Sequence, residues 1–152
     1  MRTVDRIHIR APLASTFSAA SAVERWPSIL PHYRWVRFLE HRGEGGVVEM
    51  AARRPFGPFA YPAWWVSDMA VDRPRGEIRY RHIRGITTGM DVVWRLAPNG
   101  GGVDVTILHE WRGPGWPLVG RLAANVVIGP LFVHGIASRT LAGLKNHLEV
   151  AR

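Results

Sequence analysis

A run of strand-like segments, separated only by short turn signals, occupies the middle of the chain and limits its fold more than any other feature. Alternating apolar residues predict the strands, and clusters of Gly, Pro and Asn predict the turns between them. Connections this short join antiparallel neighbours, because parallel strands need a crossover of about a dozen residues or more. The predicted strands, which form an antiparallel meander, cover residues 33–42, 47–54, 61–71, 77–84, 87–96 and 103–112.

The segments on either side of the meander complete the architecture. Residues 3–10 alternate as a further strand, residues 13–23 have helical spacing, and residues 26–31 form a compact turn bracketed by prolines. A helical period then runs from Leu118 to Leu148, with a kink expected at Gly129 and Pro130. We therefore predict one α+β domain over residues 1–152, with a curved seven-stranded antiparallel sheet around a long C-terminal helix.

Strand alternation separates charged from apolar side chains and so assigns the two faces of the sheet. Hairpins centred at residues 73–76, 85–87 and 97–102 align two rows of alternating charge on the outer face, which is a favourable cross-strand arrangement. The predicted outer rows are Asp68, Arg81, Asp91 and Glu77, Arg95, Asp104. Many of the arginines thus have a structural role on the exterior.

The same register predicts three rows on the inner face, two of which contain polar groups. These rows are Met69, Tyr80, Val92, Ile107; then Ser67, His82, Met90, His109; then Trp65, Arg84, Thr88, Trp111. An unpaired buried polar group costs roughly 1–3 kcal/mol, so a solid core would avoid this many. The rows favour a cavity between sheet and helix, although hydrogen-bonded core histidines are an alternative explanation.

We expect this cavity to bind a hydrophobic small molecule, with aromatic rings supplying contact area and a few polar groups orienting the guest. Arg84 could assist the polar groups at a headgroup or carbonyl. The candidate ligand-binding residues are Trp26, Tyr33, Trp65, Ser67, Met69, Tyr80, His82, Met90, Trp94, His109, Trp111, Phe132 and Ile136. Asn125 and His134 on the final helix could also face the cavity.

Other kinds of site have little support in the sequence. The chain has no cysteine, which excludes disulfides, thiolate metal sites and cysteine nucleophiles. Ser67 lies within a strand, without a nucleophile elbow or an inward acid to orient a histidine, so hydrolase chemistry is not predicted. No histidine has a metal-binding spacing. We predict neither a metal nor a cofactor.

The net charge of +8 raises nucleic acids or anionic membranes as partners. Its arginines, however, are scattered and interleaved with acids, so we expect no nucleic-acid role and keep transient membrane contact as a hypothesis. No apolar run approaches the ~20 residues of a membrane span, and the N-terminus lacks the apolar region of a signal peptide. We expect a cytoplasmic protein, either monomer or homodimer.

Taken together, several motifs resemble the START-like SRPBCC superfamily, the polyketide cyclase/dehydrase and lipid-transport group. They are the opening Ile7-His8-Ile9-Arg10-Ala11-Pro12, Phe17, the turn at residues 24–27, Leu30-Pro31-His32-Tyr33, the strand motif at Trp65 and Ser67, and Leu141, Leu144, Lys145, Glu149. The resemblance covers nearly the whole chain. It implies the helix-grip fold, also seen in Bet v 1-like proteins, and a deep apolar cavity for lipids, polyketides, isoprenoid quinones or hormones.

Within this superfamily, the aromatase/cyclases of polyketide synthesis resemble the chain at Trp26, Tyr33, Trp65, Ser67, Met90 and Trp94. Those enzymes carry an inward arginine two residues after the serine, whereas this chain has Met69, whose thioether cannot polarise a carbonyl. Binding, transport or chaperoning of a hydrophobic ligand is therefore the first hypothesis. A cyclase or dehydratase that uses His82 or His109 as general acid–base is the alternative.

Overall fold

The computed structural model describes residues 1–56, 59–115, 117, 119–122 and 133–150, with the side chains of 54–61 and 121 left aside. Strands dominate the first three quarters of the chain, as expected. The elements are β1 (Arg2–Ile9), α1 (Leu13–Ser21), a 3₁₀ turn (Val23–Arg25), α2 (Trp26–Ile29), β2 (Tyr33–Arg42), β3 (Gly45–Phe56), β4 (Phe59–Asp72), β5 (Glu77–Gly85), β6 (Asp91–Asn99), β7 (Gly102–Glu110), α3 (Gly120–Leu122) and α4 (His134–Val150).

The seven strands form one antiparallel sheet in the order β1-β7-β6-β5-β4-β3-β2. The predicted meander is confirmed, and β1 joins it beside β7 at the far end. β1 and β2 are the two edges of the sheet, and α1 and α2 connect them along the chain. Helix α4 packs against β1 and α1, so the sheet curves around it. The helix-grip fold is therefore confirmed.

The ends of several elements differ from the sequence prediction. Helix α1 ends at Ser21, two residues early, and the compact turn that follows becomes the 3₁₀ turn and α2. Strand β6 begins at Asp91 rather than at residue 87, because residues 86–89 form a turn. The C-terminal helix is confirmed over His134–Val150. The expected kink at Gly129 and Pro130 lies outside the described residues.

The hairpin between β6 and β7 has a different register from the predicted one. Between β6 and β7 the turn is only Gly100 and Gly101, both with positive φ, so the pairing shifts by two residues. Consequently Trp94 faces Ile107 and Val92 faces His109. The predicted row of Met69, Tyr80 and Val92 is right, but it continues to His109 instead of Ile107.

A bulge between β4 and β5 corrects the third inner row. The register shifts between Val66 and Ser67, so Trp65 pairs with Gly85 and Val66 pairs with Arg84. Gly85 has a φ of +103°, and a Cβ there would lie 2.6 Å from a backbone oxygen, so only glycine fits. Arg84 is therefore turned to the outer face, with its guanidinium 6.0 Å from the ring centre of Trp64.

The outer face carries the predicted charges with one exception. Asp68, Arg81 and Asp91 lie side by side, and Arg81 donates to Asp91 at 2.8 Å. Glu77 faces Arg95, as predicted. Asp104, by contrast, pairs with Ala97 and accepts hydrogen bonds from the side chains of His8 and Asn99.

Apolar side chains from the concave face of the sheet and from the helices form the core. Its fully buried members include Ile9, Phe17, Ile78, Val103 and Leu144. Among the helices of the described residues, none is both long and apolar enough to cross a membrane.

Candidate functional site

A cavity of about 100 Å³ lies between the concave face of the sheet and α4. Its lining comes from α2, from every strand except β1, from the loop between β5 and β6, and from the first half of α4. The described lining residues are Trp26, Tyr33, Met50, Ala63, Trp64, Trp65, Tyr80, His82, Ile86, Thr87, Met90, Val92, Trp94, Ile107, His109, Val133, Ile136, Ala137 and Thr140.

Most of the candidate residues from the sequence lie on this cavity. Strand alternation on β4, β5, β6 and β7 turns them inward, and α2 places an indole at the same level. Those on the lining are Trp26, Tyr33, Trp65, Tyr80, His82, Met90, Trp94, His109 and Ile136. Their contact with a ligand stays a prediction.

Three candidates lie beside the cavity instead of on its lining. Ser67 and Met69 are inward on β4 but are covered completely by the core. Trp111 follows β7, and its indole nitrogen donates to the carbonyl of Thr88 at 3.0 Å, so the side chain closes the loop between β5 and β6. The position of Phe132 is outside the described residues.

His82 has a structural anchor and a neutral ring. Its Nδ1 lies 2.6 Å from the hydroxyl of Thr87, and its imidazole stacks on Trp65 with ring centres 5.8 Å apart and planes 7° apart. Burial lowers the pKa of His82 to about 4. At neutral pH the imidazole is therefore uncharged, and Thr87 fixes its orientation toward the cavity wall.

His109 and Tyr80 line the same cavity, each with a buried polar atom that has no partner. In the described structure neither Nδ1 of His109 nor the hydroxyl of Tyr80 makes a hydrogen bond. Burial, with a smaller contribution from His82, lowers the pKa of His109 to about 3. Burial raises the pKa of Tyr80 well above its ordinary value, so the phenol keeps its proton. Both atoms are covered by protein, so a guest forms hydrogen bonds with them only after the side chains shift.

A polar network on the helix side of the cavity was not found from the sequence. The hydroxyl of Thr140 donates to the carbonyl of Ile136 at 2.8 Å, and it lies 2.9 Å from Nε2 of His32 and 3.5 Å from the hydroxyl of Tyr33. Burial raises the pKa of Tyr33 to about 12. The position of Thr140, four residues after Ile136 on the same face of the helix, was the available signal.

One inward carboxylate was also missed. Asp5 on β1 is buried, and its Oδ1 accepts a hydrogen bond from Nδ1 of His134 at the start of α4. Burial raises the pKa of Asp5 although His134 opposes the shift. His134 is therefore directed to Asp5 instead of the cavity lining, while Asn125 lies outside the described residues.

Among the residues that the structure describes, no three His, Asp or Glu side chains are close enough to hold a metal ion. The chemistry available in the cavity is thus that of indoles, neutral imidazoles and phenols. Such groups can bury an apolar molecule and donate to, or accept from, a carbonyl or hydroxyl.

A curved seven-stranded antiparallel sheet that grips a C-terminal helix over an internal cavity defines a START-like, Bet v 1-like protein. Residues 1–149 match the family described as "Polyketide cyclase / dehydrase and lipid transport". The chain therefore belongs to this family. No curated protein matches the sequence.

Solved structures share the fold at low sequence identity. The protein TTHA0849 of Thermus thermophilus superposes with a TM-score of 0.81 and 17% identity, covering 99% of both chains. The Zhui aromatase/cyclase of a Streptomyces species gives a TM-score of 0.79 and 17% identity, covering 100% of this chain and 96% of the other. A START superfamily protein of Mycobacterium smegmatis gives a TM-score of 0.76 and 11% identity, covering 99% of both.

Proposed function

We propose that this protein binds a hydrophobic small molecule, such as a lipid, an isoprenoid quinone or a polyketide, in the cavity under α4. The observation that carries the proposal is the pair of unpartnered polar atoms, on Tyr80 and His109, in a wall that is mostly apolar and whose other polar groups include His82 and Thr140, which already have partners. Each costs roughly 1–3 kcal/mol when buried alone. A guest with a carbonyl or hydroxyl would supply the missing hydrogen bonds and recover that free energy.

The aromatic walls support the same function. Trp26 lies 5.1 Å from Tyr33 and 5.6 Å from Trp94, measured between ring centres, and the stacked Trp65 and His82 form a second flat surface. Rings of this kind provide large contact areas while losing little side-chain entropy, because they are already held in place. They favour a flat, ring-containing guest.

The volume sets a limit on the part of the guest that is enclosed. One water needs about 10–15 Å³ of such space and a cavity of about 150 Å³ holds one benzene, so about 100 Å³ encloses several waters or part of one ring, and the rest of a larger guest lies outside it. A longer chain on the same guest would extend past Ile86, which lines the cavity and is 56% exposed.

Native mass spectrometry of freshly purified protein tests the proposal directly. We expect an additional mass that is lost after organic extraction. Titration calorimetry with 1-naphthol, which has one hydroxyl on two fused rings, gives a defined probe. Tyr80→Phe should lower the affinity for 1-naphthol about 5- to 30-fold and leave the affinity for naphthalene unchanged, because only 1-naphthol forms the hydrogen bond. No bound mass, together with no binding of either probe, would contradict the proposal.

A cyclase or dehydratase is the second candidate, favoured by the two imidazoles and the phenol on one cavity. Because the pKa values of His82 and His109 are about 4 and about 3, neither histidine is an imidazolium at neutral pH. Each can still donate an N–H to a carbonyl oxygen or accept a proton from carbon. The phenol of Tyr80 would be a further donor to a developing enolate.

Replacing the two histidines separates the candidates. An enzyme should lose the conversion of a linear β-polyketone thioester into a ring when His82→Phe and His109→Phe are combined, while the affinity for naphthalene persists. A binding protein should show no such conversion even in the wild type. The matched control is Met69→Leu, which changes an inward side chain beside the cavity but removes no proton donor.

A further inference from the structure

The described lining of the cavity differs from the protein surface because it carries no permanently charged side chain. None of the described residues on its lining is Asp, Glu, Lys or Arg. Arg84, which the sequence placed inward, is turned to the outer face and does not line the cavity, although its guanidinium lies 6.0 Å from the ring centre of the lining residue Trp64. Residues 123–132, whose structure is not described, contain no ionisable side chain either. Among the described lining residues, therefore, no arginine offers a cation to a buried anion.

The histidines on the lining do not replace the missing cation. His82 is fixed by its hydrogen bond to Thr87 and by its stack on Trp65, and His109 is buried between strands. Burial keeps their pKa values at about 4 and about 3, so both are neutral at physiological pH. Protonating either ring to pair it with an acid would cost free energy, because burial disfavours the charged imidazolium.

We infer that the cavity selects ligands that are uncharged where they are enclosed, namely those with a ketone, quinone or phenol group, and rejects carboxylates and phosphates. This inference rests on the proposed binding function and narrows it. A neutral oxygen can be satisfied by Tyr80 or His109, whereas an enclosed carboxylate without a cation loses its hydration with no compensation. A free fatty acid would therefore have to leave its headgroup in solvent.

The test compares two ligands that share one ring system, a neutral ester and its anionic carboxylate. Methyl 2-naphthoate and 2-naphthoate are titrated into the protein at pH 7 by calorimetry. We expect the carboxylate to bind at least about 100-fold more weakly than the ester, which is the order expected for an unpaired buried charge. Equal binding within about threefold would overturn the inference and leave the binding function intact. Failure of both ligands would overturn the binding function itself.

A variant with a new cation at the cavity edge provides the positive test. Ile86 lines the cavity and is 56% exposed, so Ile86→Arg introduces a guanidinium without burying it. It should raise the affinity for 2-naphthoate about tenfold relative to the affinity for the ester. The control is Ile83→Arg, on the outer face and 42% exposed, which adds the same net charge away from the cavity. Equal improvement by the two variants would assign the selectivity to overall charge and overturn the inference.

Discussion

The concave face of the sheet is filled at one end and hollow at the other, although the same strands run through both. The filled region consists of Phe17 on α1 and of Ile9, Leu96, Val103 and Val105 on the strands that face this helix. All five side chains are apolar and buried. The hollow region, consisting of Trp65, Tyr80, His82, Trp94 and His109, faces the cavity.

Along β7 the change from one region to the other takes only a few residues. Val103 and Val105 pack in the core, whereas His109 lies on the cavity with Nδ1 unpartnered. Along β6, Leu96 is core, and Trp94 lines the cavity. On these two strands, therefore, the inward polar group lies at the hollow end and the inward side chains of the filled end are apolar. Stability and binding should therefore respond to substitutions in different regions.

The largest effect is expected for Phe17→Ala in the filled region. The side chain is 3% exposed, and its removal leaves a cavity in close-packed surroundings, so the free energy of unfolding should fall by about 3–5 kcal/mol. Trp65→Ala deletes more atoms but should cost less stability, because the indole already borders empty space and is partly exposed. Urea unfolding measures both. A larger loss for Trp65→Ala would remove the distinction between the regions.

Acid should destabilise the protein through the hollow region. The folded-state pKa values of His82 and His109 lie below the ordinary 6.5, so the unfolded chain binds protons first. Their contribution to stability is complete above pH 6.5 and is lost as the pH falls toward about 4 and about 3. Each histidine should contribute a slope of about 1.4 kcal/mol per pH unit in this window.

His109→Leu isolates that slope. Urea unfolding of the variant between pH 6.5 and pH 4 should show a pH dependence that is shallower by one proton. The measurement uses ligand-free protein, since a guest that accepts a hydrogen bond would shift the same equilibrium. An unchanged slope would show that His109 is as accessible to protons in the folded state as in the unfolded one.

Tyr80→Phe should stabilise the ligand-free protein while weakening the binding of 1-naphthol. The phenol oxygen is buried without a partner, and its removal ends a desolvation penalty, so we expect a gain of about 1 kcal/mol. Tyr33→Phe is the matched control, because that hydroxyl has Thr140 as its partner. It should leave stability unchanged or lower it. A loss of stability in Tyr80→Phe would mean that the hydroxyl is satisfied in solution.

The sequence predicted the meander of β2 to β7 and most of the inward faces, because connection length and periodicity are both local features. The prediction failed where the local geometry of a turn or a bulge decides which residues pair. The two-residue turn at Gly100 and Gly101 moved β7 by two positions, and the bulge between Arg84 and His82 turned Arg84 outward. Neither event changes the hydrophobic pattern.

The candidate site was predictable to a similar depth and for a similar reason. Alternation identified Tyr80, His82 and His109 as inward residues, and all three line the cavity. Thr140 and Asp5 were missed because their positions depend on contacts between elements far apart in sequence, with His32 and His134 respectively. Helical spacing from Ile136 was a signal for the inward face of Thr140, but a single sequence gives no signal for the partners of Thr140 and Asp5.

Arg81→Gln, next to Tyr80 in sequence, should have the smallest effect and sharpens the comparison. Arg81 is on the convex face, 61% exposed, and donates to Asp91 at 2.8 Å. Exposed pairs of this kind contribute about 0–1 kcal/mol, and salt screens them, so urea unfolding in 1 M salt should hardly distinguish the variant from wild type. The affinity for 1-naphthol should not change at all, since the side chain lies on the opposite side of the strand from the cavity. If Arg81→Gln weakened binding as much as Tyr80→Phe, the affinity would depend on the whole strand and could not be assigned to the hollow region.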